Sequence, residues 1–325
     1  MTDQQALSGG ADLGPIPYLR LPSPGSLFAR RAERFAALAP GHTLSEYLEL
    51  LSRLAAAQAT ASTTVQPALD TEHIRHERPL DAAAHRRAPE WRAALSVILA
   101  ELSAVDLPDE SRSALELLDA LPPPELEALA DRVLANAVLG ADLAAGPFAA
   151  AALQVYFTAL AAQLPADAVA RAPDGCPVCG SLPVTGIVLG DDKLRYLVCS
   201  LCATQWHHTR VQCAACQQGQ GIRYFSLEGR TPGGGDGRAP SGPSGEKGTP
   251  PRPRVAPSAR AEACPSCKTY TKLFYVEADP RVEPFADDVA TLSLDLLMAE
   301  EGWARHGVNL FLLAEEERAP APEHP

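Results

Sequence analysis

Four Cys-x-x-Cys pairs, CPVC at 176–179, CSLC at 199–202, CAAC at 213–216 and CPSC at 264–267, contain every cysteine of this 325-residue chain. Eight cysteines do not fall into four such pairs by chance, and the spacing has a mechanical reason. Two intervening residues make a tight turn that points both sulfurs, and some backbone N–H groups, at one ion. Gly180, directly after the first pair, supplies the backbone freedom such a knuckle uses. Two pairs complete one tetrahedral four-sulfur site, so four pairs predict two sites, with Cys176, Cys179, Cys199, Cys202, Cys213, Cys216, Cys264 and Cys267 as metal ligands.

The gaps suggest which pairs combine. Nineteen residues separate Cys179 from Cys199, the spacing of a ribbon with one β-hairpin between its knuckles. Cys216 and Cys264 are 47 residues apart, but residues 229–260 hold eight glycines and seven prolines in 32 positions. That composition cannot offset its own ordering entropy and reads as a disordered insertion, leaving 15 residues for a second hairpin. The first pair is therefore matched with the second and the third with the fourth. A cross-braced pairing, first with third and second with fourth, stays open, as does the metal, because four-sulfur tetrahedra suit zinc and mononuclear iron alike.

Outside this segment the pattern is helical. Between residues 27 and 164 apolar residues recur three and four apart, as in Leu44, Tyr47, Leu48, Leu51 and Leu54, and predict a bundle of five to seven helices. Thr43 followed by Glu46 reads as a capping box, Pro89 opens a further helix, and Pro122 to Pro124 separate two more. The uncharged stretch 143–164 is long enough to cross a bilayer, but its alanines, Gly146, Pro147, Gln154 and Gln163 favour a buried bundle helix. Strands are expected over 183–189, 194–198, 204–211, 222–227 and 270–276, and a last helix with Val289, Leu292, Leu296 and Leu297 inward. The fold class is α+β. It comprises a flexible N-terminus over 1–24, an all-α bundle over 25–170, tandem rubredoxin-like or zinc-ribbon modules over 171–278, a C-terminal helical segment over 279–313 and a tail over 314–325.

Charge and motifs narrow the function. Lys and Arg total 28 against 40 Asp and Glu, a net charge of −12, which argues against an extended phosphate-binding surface. Two four-cysteine sites carrying divalent ions would take it to −16, and trivalent iron to −14, counting −8 from sulfur. The first residues show neither a basic n-region nor an apolar h-region, so a cytoplasmic location without membrane insertion is expected. His207 and His208 are weak additional ligand candidates, since neighbours on a strand face opposite ways. Asp279, Glu283, Asp287 and Asp288 favour helix capping over catalysis. No phosphate loop, nucleophile elbow or HExxH motif occurs, and closed four-sulfur sites leave no open coordination position.

The segments CPVCGSLPV at 176–184, LRYLVCSLCATQWHHTRVQCAAC at 194–216, CPSCKTYTKLFY at 264–275 and DPRVEPFADDVATLSLDLLM at 279–298, with a fainter echo in RRAERFAALA at 30–39, resemble the formate dehydrogenase accessory protein family FdhE. The resemblance implies a cytoplasmic, non-catalytic factor that binds the formate dehydrogenase catalytic subunit during its maturation. It also implies two metal ions at the eight cysteines, with iron favoured and zinc possible. A homodimer is left open. Two other readings stand beside it: an iron-based electron-transfer protein acting on the same client, and a zinc-ribbon nucleic-acid module using Arg195, Arg210, Arg223 and Arg230.

Overall fold

The computed structural model describes residues 16–70, 77–165, 169–172, 174–190, 192–227 and 258–314. Six α-helices come first: α1 (Pro24–Leu38), α2 (Ser45–Thr64), α3 (Glu90–Ser103), α4 (Asp109–Ala120), α5 (Pro123–Leu134) and α6 (Gly146–Ala161). The uncharged stretch 143–164 becomes α6, the axis of the bundle, with α1, α2, α3 and α5 packed around it. Its alanines let neighbours approach on every side, and nearly all its residues are buried. No described helix is long and apolar enough to cross a membrane. The capping box at the start of α2 does not form: Leu44 occupies the cap, and its N–H donates to His42 Nδ1 at 3.0 Å.

The cysteine-rich half is one eight-stranded sheet in the order β1-β4-β3-β2-β7-β6-β5, with β8 beside β7. Its strands are β1 (Leu19–Arg20), β2 (Pro183–Leu189), β3 (Leu194–Cys199), β4 (Gln205–His207), β5 (Arg223–Phe225), β6 (Ala259–Cys264), β7 (Thr269–Tyr275) and β8 (Ala304–Arg305). Read with the cysteine pairs, the chain runs knuckle, β2, β3, knuckle, β4, then again knuckle, β5, β6, knuckle, β7. The sheet is thus two copies of a three-stranded ribbon. They are fused along the parallel pairing of β2 with β7, where Gly186 lies opposite Leu273. A Cβ on Gly186 would come within 2.5 Å of Leu273 Cδ2, so a larger residue there must displace the buried Leu273 side chain.

Three expectations are corrected. The loose segment 1–24 is ordered at its end, because β1 pairs antiparallel with β4 (Leu19 with Trp206) and α1 already starts at Pro24; residues 1–15 lie outside the described residues. Most of the insertion 229–260 also lies outside them, but its last residues, from Ala259, belong to β6. The single C-terminal helix is two, α7 (Pro284–Ala290) and α8 (Leu292–Glu300), meeting at Thr291. Leu294 and Met298, rather than Leu296, face the core of α8, and Leu296 is 61% exposed. The tail from residue 315 lies outside the described residues.

Candidate metal centres

The structure gathers the cysteines in the order the gaps suggested: Cys176, Cys179, Cys199 and Cys202 form one group, and Cys213, Cys216, Cys264 and Cys267 the other. Within each group all sulfurs lie within 4.8 Å of one another. The closest cross-knuckle approaches are 3.7 Å (Cys176 to Cys202) and 3.3 Å (Cys179 to Cys199), and 3.6 Å for both Cys213–Cys267 and Cys216–Cys264. A tetrahedron with metal–sulfur bonds of about 2.3 Å has edges of about 3.8 Å. A disulfide would need about 2.05 Å. The donor set fits a tetrahedral thiophilic ion such as zinc or mononuclear iron.

All four knuckles share one backbone design. The residue after each second cysteine has positive φ: Gly180 at 79°, Ala203 at 56°, Gln217 at 66° and Lys268 at 59°. Only the first is glycine, which is why the sequence marks one left-handed position of four. The turn aims N–H groups at sulfur, from Leu201 and Cys202 onto Cys199 at 3.3 and 3.4 Å and from Ala215 onto Cys213 at 3.4 Å. Hydroxyls two residues past the second cysteine lie against three of the four knuckles: Ser181 at 3.4 Å from Cys179, Thr204 at 3.2 Å from Cys202 and Thr269 at 3.0 Å from Cys267. Such dipoles stabilise thiolate charge and tune a bound metal. Burial pushes the Cys176 and Cys199 thiols well up and Cys213 up to about 12. Against the same burial, hydrogen bonds from neighbouring groups pull Cys179 well down and Cys264 down to about 7. A bound cation would supply the opposite charge the other sulfurs need in order to ionise.

The centres differ in surroundings. The first is sealed, with all four cysteines at 1% exposure or less, while Cys216 and Cys267 of the second are partly exposed. The helical half supplies the seal. Leu80 and Ala82 donate backbone N–H groups to Val178 and Cys179 carbonyls inside the first knuckle, both at 2.9 Å. Gln154 of α6 donates to the Ser200 carbonyl in the second knuckle at 2.9 Å. Gly175 makes the entry to the first knuckle: its φ is 64°, and a Cβ there would sit 2.4 Å from the Gly180 carbonyl oxygen. Gly175→Ala should cost about 2 kcal/mol. Competition with a chelator should strip the first centre about thirtyfold more readily than in the wild type with the second unchanged, and equal retention at both would contradict this placement.

A polar network ties this centre to both ends of the chain. Arg31 of α1 is buried, with Nε 3.1 Å from Glu283 and Nη1 3.0 Å from Gln154, and its guanidinium lies 3.8 Å over the Phe285 ring. Arg34 pairs with Asp287 at 2.9 Å and Asp279 at 2.8 Å. Glu283 also caps α7, accepting from Phe285 and Ala286 N–H at 3.0 and 2.9 Å. The capping expectation for the acidic cluster thus holds for Glu283, but the ion pairs were not foreseen. One signal existed: Arg31 is three residues from Phe28 and four from Phe35, which places a charge on a buried helical face. His207 and His208 join neither sulfur group; His207 packs edge-on against Tyr196.

With this geometry in place, family models match three stretches of the chain: "FdhE, N-terminal" over residues 16–174, "FdhE, central domain" over 175–210 and "FdhE, C-terminal domain" over 249–312. A protein named "Protein FdhE homolog" from Edwardsiella ictaluri (strain 93-146) is 36% identical over 327 residues, covering 97% of this chain and 96% of its own. The chain belongs to the FdhE family. Another FdhE homolog, from Yersinia pestis (strain Pestoides F), is 35% identical, with 94% of each chain covered. The crystal structure of the FdhE protein from Pseudomonas aeruginosa superposes with a TM-score of 0.77 at 34% identity, covering 92% of this chain and all of that one. Family membership thus accounts for the helical half as well as the ribbons, although the sequence resemblance was close only in the cysteine-rich half.

Proposed function

We propose that this protein is a cytoplasmic, non-enzymatic accessory factor in the maturation of formate dehydrogenase, binding the catalytic subunit through its metal-stabilised ribbons. The observation that carries this reading is membership of the FdhE family over nearly the full chain. The four-sulfur geometry supports a non-catalytic role, because four sulfurs leave a tetrahedral ion no open position for a substrate. In this reading Cys176, Cys179, Cys199 and Cys202 hold one ion and Cys213, Cys216, Cys264 and Cys267 a second, with iron as the native metal. The division into a helical part (25–170), ribbons (171–278) and a C-terminal segment (279–313) belongs to the same proposal. Deleting the gene should abolish formate dehydrogenase activity while catalytic-subunit transcript persists, and the wild-type gene should restore it. Unchanged activity would refute the reading.

Partial exposure of Cys216 and Cys267 favours a second reading, in which iron at the outer centre exchanges electrons with the same client. Protein purified without air and titrated with oxidant and reductant should then show a reversible visible spectrum. Two zinc ions with no response would make both centres scaffolding. Of the arginines in the nucleic-acid reading, Arg195 is buried and paired with Glu262 at 2.7 Å, Arg210 and Arg223 are exposed, and Arg230 lies outside the described residues.

A further inference from the structure

Between the ribbons, on the β4 side of the sheet, lies a cleft of about 150 Å³ whose lining includes Tyr18, Arg171, His207, His208, Gln212 and His306. It is bounded by Gly175, which leads into the first sulfur centre, and by Ala214 and Gln217 of the second. In a chain of net charge −12, this described lining contains no Asp or Glu. It is also rich in donors that lack acceptors. Among the described residues the Arg171 guanidinium has no carboxylate partner, and it stacks 4.3 Å over the Tyr18 ring. The Tyr18 hydroxyl accepts from Ala172 N–H at 3.3 Å but donates to no group among the described residues. The rings of His207 and His306 likewise make no hydrogen bond among the described residues, whereas His208 Nδ1 lies 3.1 Å from the Thr209 carbonyl. Tyr18, His207 and His306 are half-buried and Arg171 is exposed at the rim. A half-buried donor without an acceptor costs free energy, so three such side chains beside one guanidinium around one small cleft call for a group that only accepts.

We propose that this cleft binds a carboxylate, with the Arg171 guanidinium, the Tyr18 hydroxyl and the His207 and His306 rings as its donors. One guanidinium matches one negative charge. The three imidazoles are held neutral because burial pushes each of them down, His208 to about 4, with Arg171 contributing at His207 and Arg195 at His208. A dianion such as phosphate would therefore keep one charge uncompensated. The volume suits a carboxylate with a short stem, well below the roughly 300 Å³ of a cofactor pocket. The same chemistry has two sources, a free small carboxylate or the acidic side chain of a protein segment. The site stands whether or not the accessory-factor reading holds.

The test is a titration of the metal-loaded full chain with sodium acetate at constant ionic strength, read by histidine-ring NMR, with sodium chloride as the control. Saturable shifts of His207, His208 and His306, absent with chloride, are expected. Arg171→Gln should weaken the apparent affinity about tenfold, the loss of one charge-assisted hydrogen bond. Tyr18→Phe, which keeps the ring, should weaken it a few-fold. A blocked Gly-Glu-Gly peptide that saturates the same signals more tightly than acetate, while its Gly-Gln-Gly counterpart does not, would identify a protein side chain as the source. Saturation by acetate but not by the peptide would identify a free small carboxylate. Shifts that fail to saturate, that chloride reproduces, or that survive unchanged in both variants would overturn the proposal.

Discussion

Replacing Cys176 and Cys179 together by serine should remove one of two metal ions and disturb far more than the first ribbon. Binding of a structural ion to four sulfurs is worth about 10–16 kcal/mol in small ribbon peptides. That equals or exceeds the roughly 5–15 kcal/mol that stabilises a typical folded protein. The two substituted positions lie in the knuckle gripped by Leu80 and Ala82 of the helical half, and the opposite knuckle is held by Gln154. Loss of the first ion therefore loosens the seam between bundle and sheet. Metal content should fall from two to one, with a lower melting temperature and a helical signal lost in the same transition. Cys216→Ser with Cys267→Ser should also remove one ion, but from the more exposed centre, and should leave the helical transition within a few degrees of the wild type. Unchanged metal content in either double variant would contradict the ligand assignment. Identical melting of the two would contradict the distinction between a sealed and an open centre.

Lys272→Met should be the most damaging single substitution away from the cysteines. Lys272 on β7 is fully buried, with Nζ 2.8 Å from Asp288 and 2.6 Å from Asp295, and it also donates to the Asp288 carbonyl at 2.8 Å. Met matches the stem but leaves two carboxylates sharing Arg305, which lies 2.7 Å from Asp288 and 3.4 Å from Asp295. Breaking one partner out of a buried ion pair costs about 3–5 kcal/mol. At roughly 2–4 °C per kcal/mol for a chain of this size, melting should fall by about 10 °C with both metals retained. The pH dependence gives a second check. Burial alone pushes the Asp288 carboxylate up, but Lys272 and then Arg305 outweigh it and hold it below the ordinary 3.8. A lowered carboxylate stabilises the fold above its unfolded value and loses that contribution as pH falls through its folded value. The variant lacks most of this contribution, so its deficit should be full at neutral pH and shrink below about pH 4. A deficit that does not change with pH would mean that packing of the stem, and not charge, sets the cost.

The sulfur centres were legible because two cysteines three residues apart constrain a turn locally, and a hairpin gap constrains what lies between. The bundle was legible for a similar reason: the stripe through Leu48, Leu51 and Leu54 is a local periodicity, and these residues are buried. What escaped was non-local. β1 is two residues long and exists only because β4 offers an edge to Leu19 and Arg20. β6 begins in sequence that still has the composition of the insertion, and its partners on β7 fix it. The left-handed residues Ala203, Gln217 and Lys268 carry no glycine signal, although each follows the second cysteine of its knuckle. Within the site, Gln154 looked like a polar blemish on an apolar helix. It is the residue that hydrogen-bonds both Arg31 and the Ser200 carbonyl of a knuckle.

Arg31 and Arg34 of α1 find their carboxylates on and beside α7, about 250 residues later in the chain. During synthesis the first helix therefore leaves the ribosome long before the carboxylates of its native ion pairs have been made. The ion pairs of Arg31 and Arg34 with Glu283, Asp287 and Asp279 can therefore close only at the end of translation, when α7 docks on α1. A long-range closure of this kind is slow compared with the formation of the helices it joins.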